Sequence, residues 1–236
     1  MNPALSSAPT LSPPTPSVSR QRRKETRPQE LLDAALQLFV EKGFAATRSE
    51  EVARRAGVSK GTLYLYYPSK EELFKAVVRQ SMSTLIAEGI ELADAYEGSS
   101  SDLLATLMDI WWQKVGNTPA AGIHKIVLSE VRNFPELAQF YADEVIVPAD
   151  RLFSTVVQRG IDSGEFREVP VHEVAHVLMA PMIFLSLHRH SFGACPLHGD
   201  DIDADALIRT QLDMALRGLE SREPTPRRRT GKAKTS

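Results

Sequence analysis

The sequence predicts an all-α protein, with three short N-terminal helices ahead of a longer helical body. Apolar residues recur at three- and four-residue intervals, and no stretch sustains the two-residue alternation of a half-buried strand. Hydroxyl residues stand three positions before glutamate at Thr47–Glu50 and Ser69–Glu72, a pattern that starts helices. Gly43, Gly57, Pro68 and Gly98 fall where the periodic segments should stop.

The elements follow in order. Residues 1–19 carry five prolines, no charged side chain and no apolar face, so a disordered tail is expected. A first helix fits 28–42, with Leu31, Ala35, Leu38 and Phe39 on one face and Gly43 ending it. Thr47–Glu50 reads as a capping box for a second helix running to Ala56. Gly57 supplies a left-handed turn residue, Ser59 caps a third short helix to Tyr66, and Pro68 stops it. Ser69 then opens a long fourth helix toward Tyr96. Further helices fit 102–115, 120–132, 135–163 with a break near Pro148, 171–190 with a kink at Pro181, and 204–220. Residues 222–236, with five basic side chains after Pro226, read as a second disordered tail.

Composition excludes several classes. A single cysteine, Cys195, rules out a disulfide framework within the chain and suits a reducing, cytoplasmic setting. No uninterrupted apolar run approaches the roughly 20 residues of a bilayer span, so no membrane role is expected. The formal charge of −2 conceals a segregation: residues 20–80 sum to +5, residues 81–221 to −12, and residues 222–236 to +5. That split fits one surface facing a polyanion, or equally a set of solvated helical faces.

Two short helices around Ala56-Gly57-Val58-Ser59 have the form of a helix-turn-helix, with Val52, Ala53, Ala56, Val58 and Leu63 where the helices must pack. Lys60, Gly61, Thr62, Tyr64 and Tyr66 fall on or near the open face of the second helix. A cation, hydroxyls, an aromatic ring and a residue without a side chain suit phosphates and base edges. Ser69 and Lys70 add amide donors and a cation.

The stretch from Thr47 to Phe74, above all A-G-V-S-K-G-T-L-Y followed by Y-P-S-K-E-E-L, resembles the DNA-binding region of the TetR/AcrR family. Leu31 to Phe44 is similar to that family's first helix, and the resemblance covers about residues 27–78. It implies a DNA-binding domain over 20–78, a helical regulatory and dimerisation domain over 79–221, and a homodimeric, ligand-responsive regulator, usually a repressor, on a double-stranded DNA operator. Carried over by position, the DNA-contacting residues are Ser49, Lys60, Gly61, Thr62, Tyr64, Tyr66 and Lys70. Glu50 and Glu51 depart from an interface for phosphate and are expected to serve helix capping. Arg20, Arg22, Arg23, Lys24 and Arg27 form a flexible basic arm suited to a minor groove or the DNA backbone, or else a solubilising flank.

The resemblance also implies an apolar pocket, expected from Met108, Trp111, Trp112, His124, Phe153, Met179, Met182 and His188, with Phe134 and Phe184 nearby; ordinary core is the alternative for each. Ile208, Leu212, Ala215 and Leu219 form a stripe, and the 171–190 helix is apolar on more than one face, so these last two helices are expected to pair with their two-fold mates. Two alternatives stand beside a regulator. His172-Glu173-Val174-Ala175-His176 has the spacing of a zinc hydrolase's ligands and base, without the extension of the longer zinc-protease motif. A helical adaptor without DNA binding is the other. No catalytic residue, metal or cofactor is expected. His188, His190, Cys195 and His198 form a loose cluster that matches no strong metal signature.

Overall fold

The computed structural model describes residues 18–130, 132–191 and 202–221, with side chains from residue 27 onward. The 222–236 tail, most of the 1–19 tail, Cys195 and His198 lie outside the described residues.

Helix α1 spans Val18–Lys42 and runs straight through Pro28. The backbone at 20–27 is therefore helical, where a flexible arm was expected. Its Arg, Lys, Gln and Glu residues are good helix formers, and they carry the helix past the one donor that Pro28 lacks. Gly43, at φ +83°, ends α1 as expected. Helix α2, Ser49–Arg55, starts differently from the expected box. Thr47 is buried and its hydroxyl donates back to the Gly43 and Leu38 carbonyls at 2.7 and 3.2 Å, tying the loop to α1. Arg48 occupies the position before the helix, and its backbone N–H points to the Glu51 carboxylate at 3.5 Å. Gly57, at φ +65°, makes the turn into α3, Lys60–Tyr66, where the Ser59 hydroxyl accepts the Thr62 N–H.

Helix α4, Lys70–Val78, is capped by Ser69 and passes through a π-helical turn, Arg79–Ser83, into α5, Thr84–Ala95. The expected long fourth helix is thus one rod with a wide turn at its centre. Helix α6, Ser100–Trp111, ends in a second π turn, Trp112–Gly116. A short 3₁₀ turn, Pro119–Ala121, leads into α7, Gly122–Glu130. Helix α8, Pro135–Tyr141, continues through a third π turn, Ala142–Ile146, into α9, Val147–Asp162. Where a break was expected near Pro148, the wide turn just ahead absorbs the proline and the chain stays helical. Helices α10, Val171–Arg189, and α11, Ala204–Leu219, complete the body. One strand-like pairing was not expected. Arg167 N–H donates to the Leu219 carbonyl and Ser221 N–H to that of Glu165, fastening the end of α11 to the α9–α10 loop.

Two apolar clusters hold the elements. The first joins Leu31, Phe39, Val52, Leu63, Phe74 and Val77 of α1–α4 to Ile123, Ile126, Leu137 and Tyr141 of α7 and α8. The rings of Phe39, Phe44 and Phe74 meet there at 5.3–5.6 Å between centroids. The second gathers α6, α9, α10 and α11 around Leu103, Met108, Phe153, Val157, Leu178 and Met182. The α4–α5 rod enters both, through Phe74, Val77 and Met82 in the first and through Ile90, Leu92 and Ala93 against the second. A boundary at residue 78 therefore divides the chain within a single rod, and the N-terminal unit shares its core with α7 and α8.

Candidate nucleic-acid interface

Helix α3 buries Leu63 against α2 and turns its other faces outward. Lys60, Gly61, Tyr64 and Leu65 are exposed, and Thr62 and Tyr66 are half-buried. The Lys60 ammonium is already engaged by Glu50 of α2, which raises the pKa of Lys60 and lowers that of Glu50. It also lies 5.7 Å from the Tyr64 ring centroid. Glu50 therefore bridges α2 to α3 instead of capping α2. Glu51 takes the capping position and an ion pair with Lys42 at 2.8 Å. Both sites sit on the solvent face, where an ion pair is loosely held and easily exchanged for phosphate.

The remaining expected contacts divide. The Thr62 and Ser59 hydroxyls share a hydrogen bond of 2.8 Å, which leaves the Thr62 oxygen at least one lone pair to accept a hydrogen bond from a base. Ser49 is buried at the start of α2, so its side chain offers little to an outside partner. Lys70 departs furthest from expectation. Its ammonium donates to the carbonyls of Phe44, Ala45 and Thr47 at 2.9, 3.2 and 3.2 Å and lies 4.5 Å from the Phe44 ring centroid. With three protons and three carbonyl partners, it clamps α4 to the α1–α2 loop and is not a free phosphate cation. Local spacing shows which residues start a helix, but not that the loop 25 residues earlier would return to cover one of them.

Similarities to known sequences and structures set this geometry in context. Residues 31–77 match the family model "Bacterial regulatory proteins, tetR family", and residues 95–214 match "Tetracyclin repressor-like, C-terminal domain". The chain belongs to the TetR family. It is a DNA-binding transcriptional regulator, with α2 and α3 as its helix-turn-helix. It is 30% identical over 161 residues to the uncharacterised HTH-type transcriptional regulator YfiR of Bacillus subtilis, covering 66% of this chain and 75% of YfiR. It is 25% identical over 199 residues to the HTH-type transcriptional repressor KstR2 of Rhodococcus jostii, covering 84% of this chain and 93% of KstR2. The fold is similar to that of the transcriptional regulator FadR from Bacillus subtilis, solved with stearoyl-CoA. That similarity has a TM-score of 0.63 and 20% identity, over 81% of this chain and 99% of FadR.

The residues expected to line a pocket do not all meet. Met108, Trp112, Phe153 and Met182 are buried together in the second cluster, with Met179 packed on its edge. Trp112 also donates its indole N–H to Asp205 at 2.9 Å, pinning the π turn after α6 to α11. Trp111 touches both clusters and stands edge-on to His124, whose ring is also edge-on to Tyr141. Burial holds the His124 imidazole below its ordinary pKa and pushes the Tyr141 phenol above its own. Phe134 packs edge-on against Phe44 in the first cluster, and His188 stacks obliquely on exposed Phe184.

Only part of the stripe expected to pair across the two-fold axis is covered by its own chain, because Leu212 and Ala215 are half-buried. Ile208 and Leu219 are buried within the chain, as are Leu178, Met182 and Leu185 of α10. The outward apolar residues of the same two helices are Val177, Phe184 and Met214, at 64, 50 and 70% exposure. Periodicity identifies a buried face but not whether its own chain or a partner covers it.

The His-Glu-x-x-His string lies at the start of α10. The Nδ1 atoms of His172 and His176 approach opposite oxygens of Asp150 at 3.1 and 3.6 Å, and that of His176 also meets the His172 carbonyl at 2.7 Å. Among the described residues, no group of three or more His, Cys, Asp or Glu is arranged to hold a metal.

Proposed function

We propose that this TetR-family regulator is a cytoplasmic homodimeric repressor, released from a pseudo-palindromic operator by a small apolar ligand, and not an enzyme. The observation that carries the DNA reading is the outward face of α3, where Lys60, Gly61, Thr62 and Tyr64 crowd one side of a short helix whose other side is anchored by Leu63. Two such helices on a two-fold dimer would enter major grooves about one helical turn, roughly 34–36 Å, apart.

Helix α10 supports the dimer. It is apolar on more than one face and long enough to pass for a membrane span, yet only 28% of its most apolar stretch is buried within the chain. Its position among α7, α9 and α11 makes a second copy of the same helix pair the fitting cover for Val177 and Phe184.

For ligand response, the rod of α4 and α5 is the mechanical link, because it packs in both clusters. At its π turn, the Arg79 guanidinium grips the Glu144 carboxylate of the α8–α9 π turn through contacts of 2.6–3.0 Å. Beside this pair, the Tyr141 hydroxyl donates to the Met82 sulfur at 3.4 Å. A ligand seated among Met108, Trp112, Phe153 and Met182 would spread α6 from α9 and move the rod relative to this pivot. It shifts the equilibrium only insofar as it binds the two states unequally.

The test is Tyr64→Ala, compared with wild type in sedimentation and in DNA titration. The expected result is an unchanged dimer that binds its operator at least about tenfold more weakly. Full operator affinity in that variant removes α3 as the reading element.

A further inference from the structure

Two neighbouring residues of α3 lack an explanation inside the chain. Gly61 has ordinary helical backbone and is absent from the positive-φ glycines. A Cβ built on it would meet only the Ser59 hydroxyl, at an unhindered 3.8 Å. Nothing in the fold excludes alanine there, and glycine in a helix costs about 1 kcal/mol relative to alanine. Leu65 is 85% exposed, more than any other large apolar side chain among the described residues. It lies four residues after Gly61, on the same helical face, and helical side chains lean toward the N-terminus. Leu65 therefore overhangs the notch left by Gly61, with Lys60, Thr62 and Tyr64 around it.

A lone exposed leucine is unremarkable on a protein surface. An overhanging leucine beside a bare stretch of backbone, on the helix that reads DNA, has a chemical counterpart. The thymine C5-methyl is the one apolar group presented at base edges in the major groove. We propose that Leu65 is a specificity-determining residue that packs on the methyl group of an operator thymine, with Gly61 admitting the base edge to contact. This assignment rests on the DNA-binding reading of α3.

The experiment begins with duplexes selected from a random library by the full-length wild-type protein. In the best-bound duplex, each thymine is then replaced in turn by deoxyuridine, which lacks only the methyl group. At one thymine per half-site, the replacement should weaken wild-type binding about 3–5-fold. Leu65→Ala should bind the two duplexes equally, with its dimer intact, whereas Tyr64→Phe should still discriminate between them. The assignment is overturned if Leu65→Ala keeps the deoxyuridine penalty, or if no single replacement weakens the wild type. It is also overturned if Leu65→Ala disrupts assembly instead of DNA binding, because Leu65 would then be a protein contact. Failure of the wild type to select any duplex would remove the DNA-binding reading itself, and this assignment with it.

Discussion

Replacing Lys70 with methionine separates a structural clamp from a phosphate contact. The variant keeps an unbranched apolar stem of the same length, with sulfur in place of one methylene, and loses the ammonium. Of its three hydrogen bonds, those to the Phe44 and Thr47 carbonyls are partly buried, and that to the Ala45 carbonyl is exposed. Water replaces the exposed bond at little cost, while each partly buried bond is worth about 0.5–1.5 kcal/mol. The lost cation–π contact with Phe44 adds about 0.5–1 kcal/mol. The sum is a destabilisation of about 1.5–4 kcal/mol, which at this chain length lowers Tm by about 3–16 °C. Thermal unfolding followed by circular dichroism measures it, alongside DNA titrations at several salt concentrations. If Lys70 is a clamp, Tm falls and the slope of log K against log salt is unchanged below the new Tm. An unchanged Tm with a slope reduced by about one would refute the clamp and restore the phosphate contact.

Other expectations follow from the same contacts. Glu50→Gln frees the Lys60 ammonium and should strengthen DNA binding about 2–5-fold at low salt; a gain that persists at high salt would point to a cause other than charge. Phe184→Glu places a charge on the outward face of α10 and should give monomers in sedimentation, with operator affinity lower by about 100-fold or more; a stable dimer would move the interface elsewhere. Burial holds His124, and burial with Arg189 and Lys125 nearby holds His190, below the ordinary histidine pKa, so the unfolded chain binds more protons at mildly acid pH. Stability should be full above about pH 6.5 and decline below it. His124→Gln should flatten part of that decline in Tm between about pH 7 and 5, and an unaltered slope would assign it to other groups.

How far the fold is legible in the sequence depends on the range of the interaction. Gly43, Gly57, Ser59 and Ser69 act within one turn of their own helix, and each does what its residue type implies. Thr47 has a helix-start signature and Lys70 reads as a cation for phosphate, but their side chains are claimed by backbone carbonyls elsewhere, Leu38 and Gly43 for one and the α1–α2 loop for the other. Pro28 and Pro148 looked like boundaries, yet both lie inside continuous helix, because strong neighbouring propensity and a π turn absorb them. The helical period sets Leu65 about 200° around the axis from buried Leu63, a sign of its exposure that a count of apolar residues alone overlooks. The pairing of Arg79 with Glu144 joins residues 65 apart and has no local signature.

The most direct measurement is selection of DNA fragments by the purified full-length protein at physiological salt, followed by sequencing. A dimeric regulator that reads DNA through α3 should enrich fragments sharing a two-fold-symmetric motif, with half-sites about one helical turn or a multiple of it apart. Tyr64→Ala should lose that enrichment while remaining dimeric. Enrichment of no motif, or of the same motif by Tyr64→Ala, would contradict the assignment of α3 as the element that reads the operator.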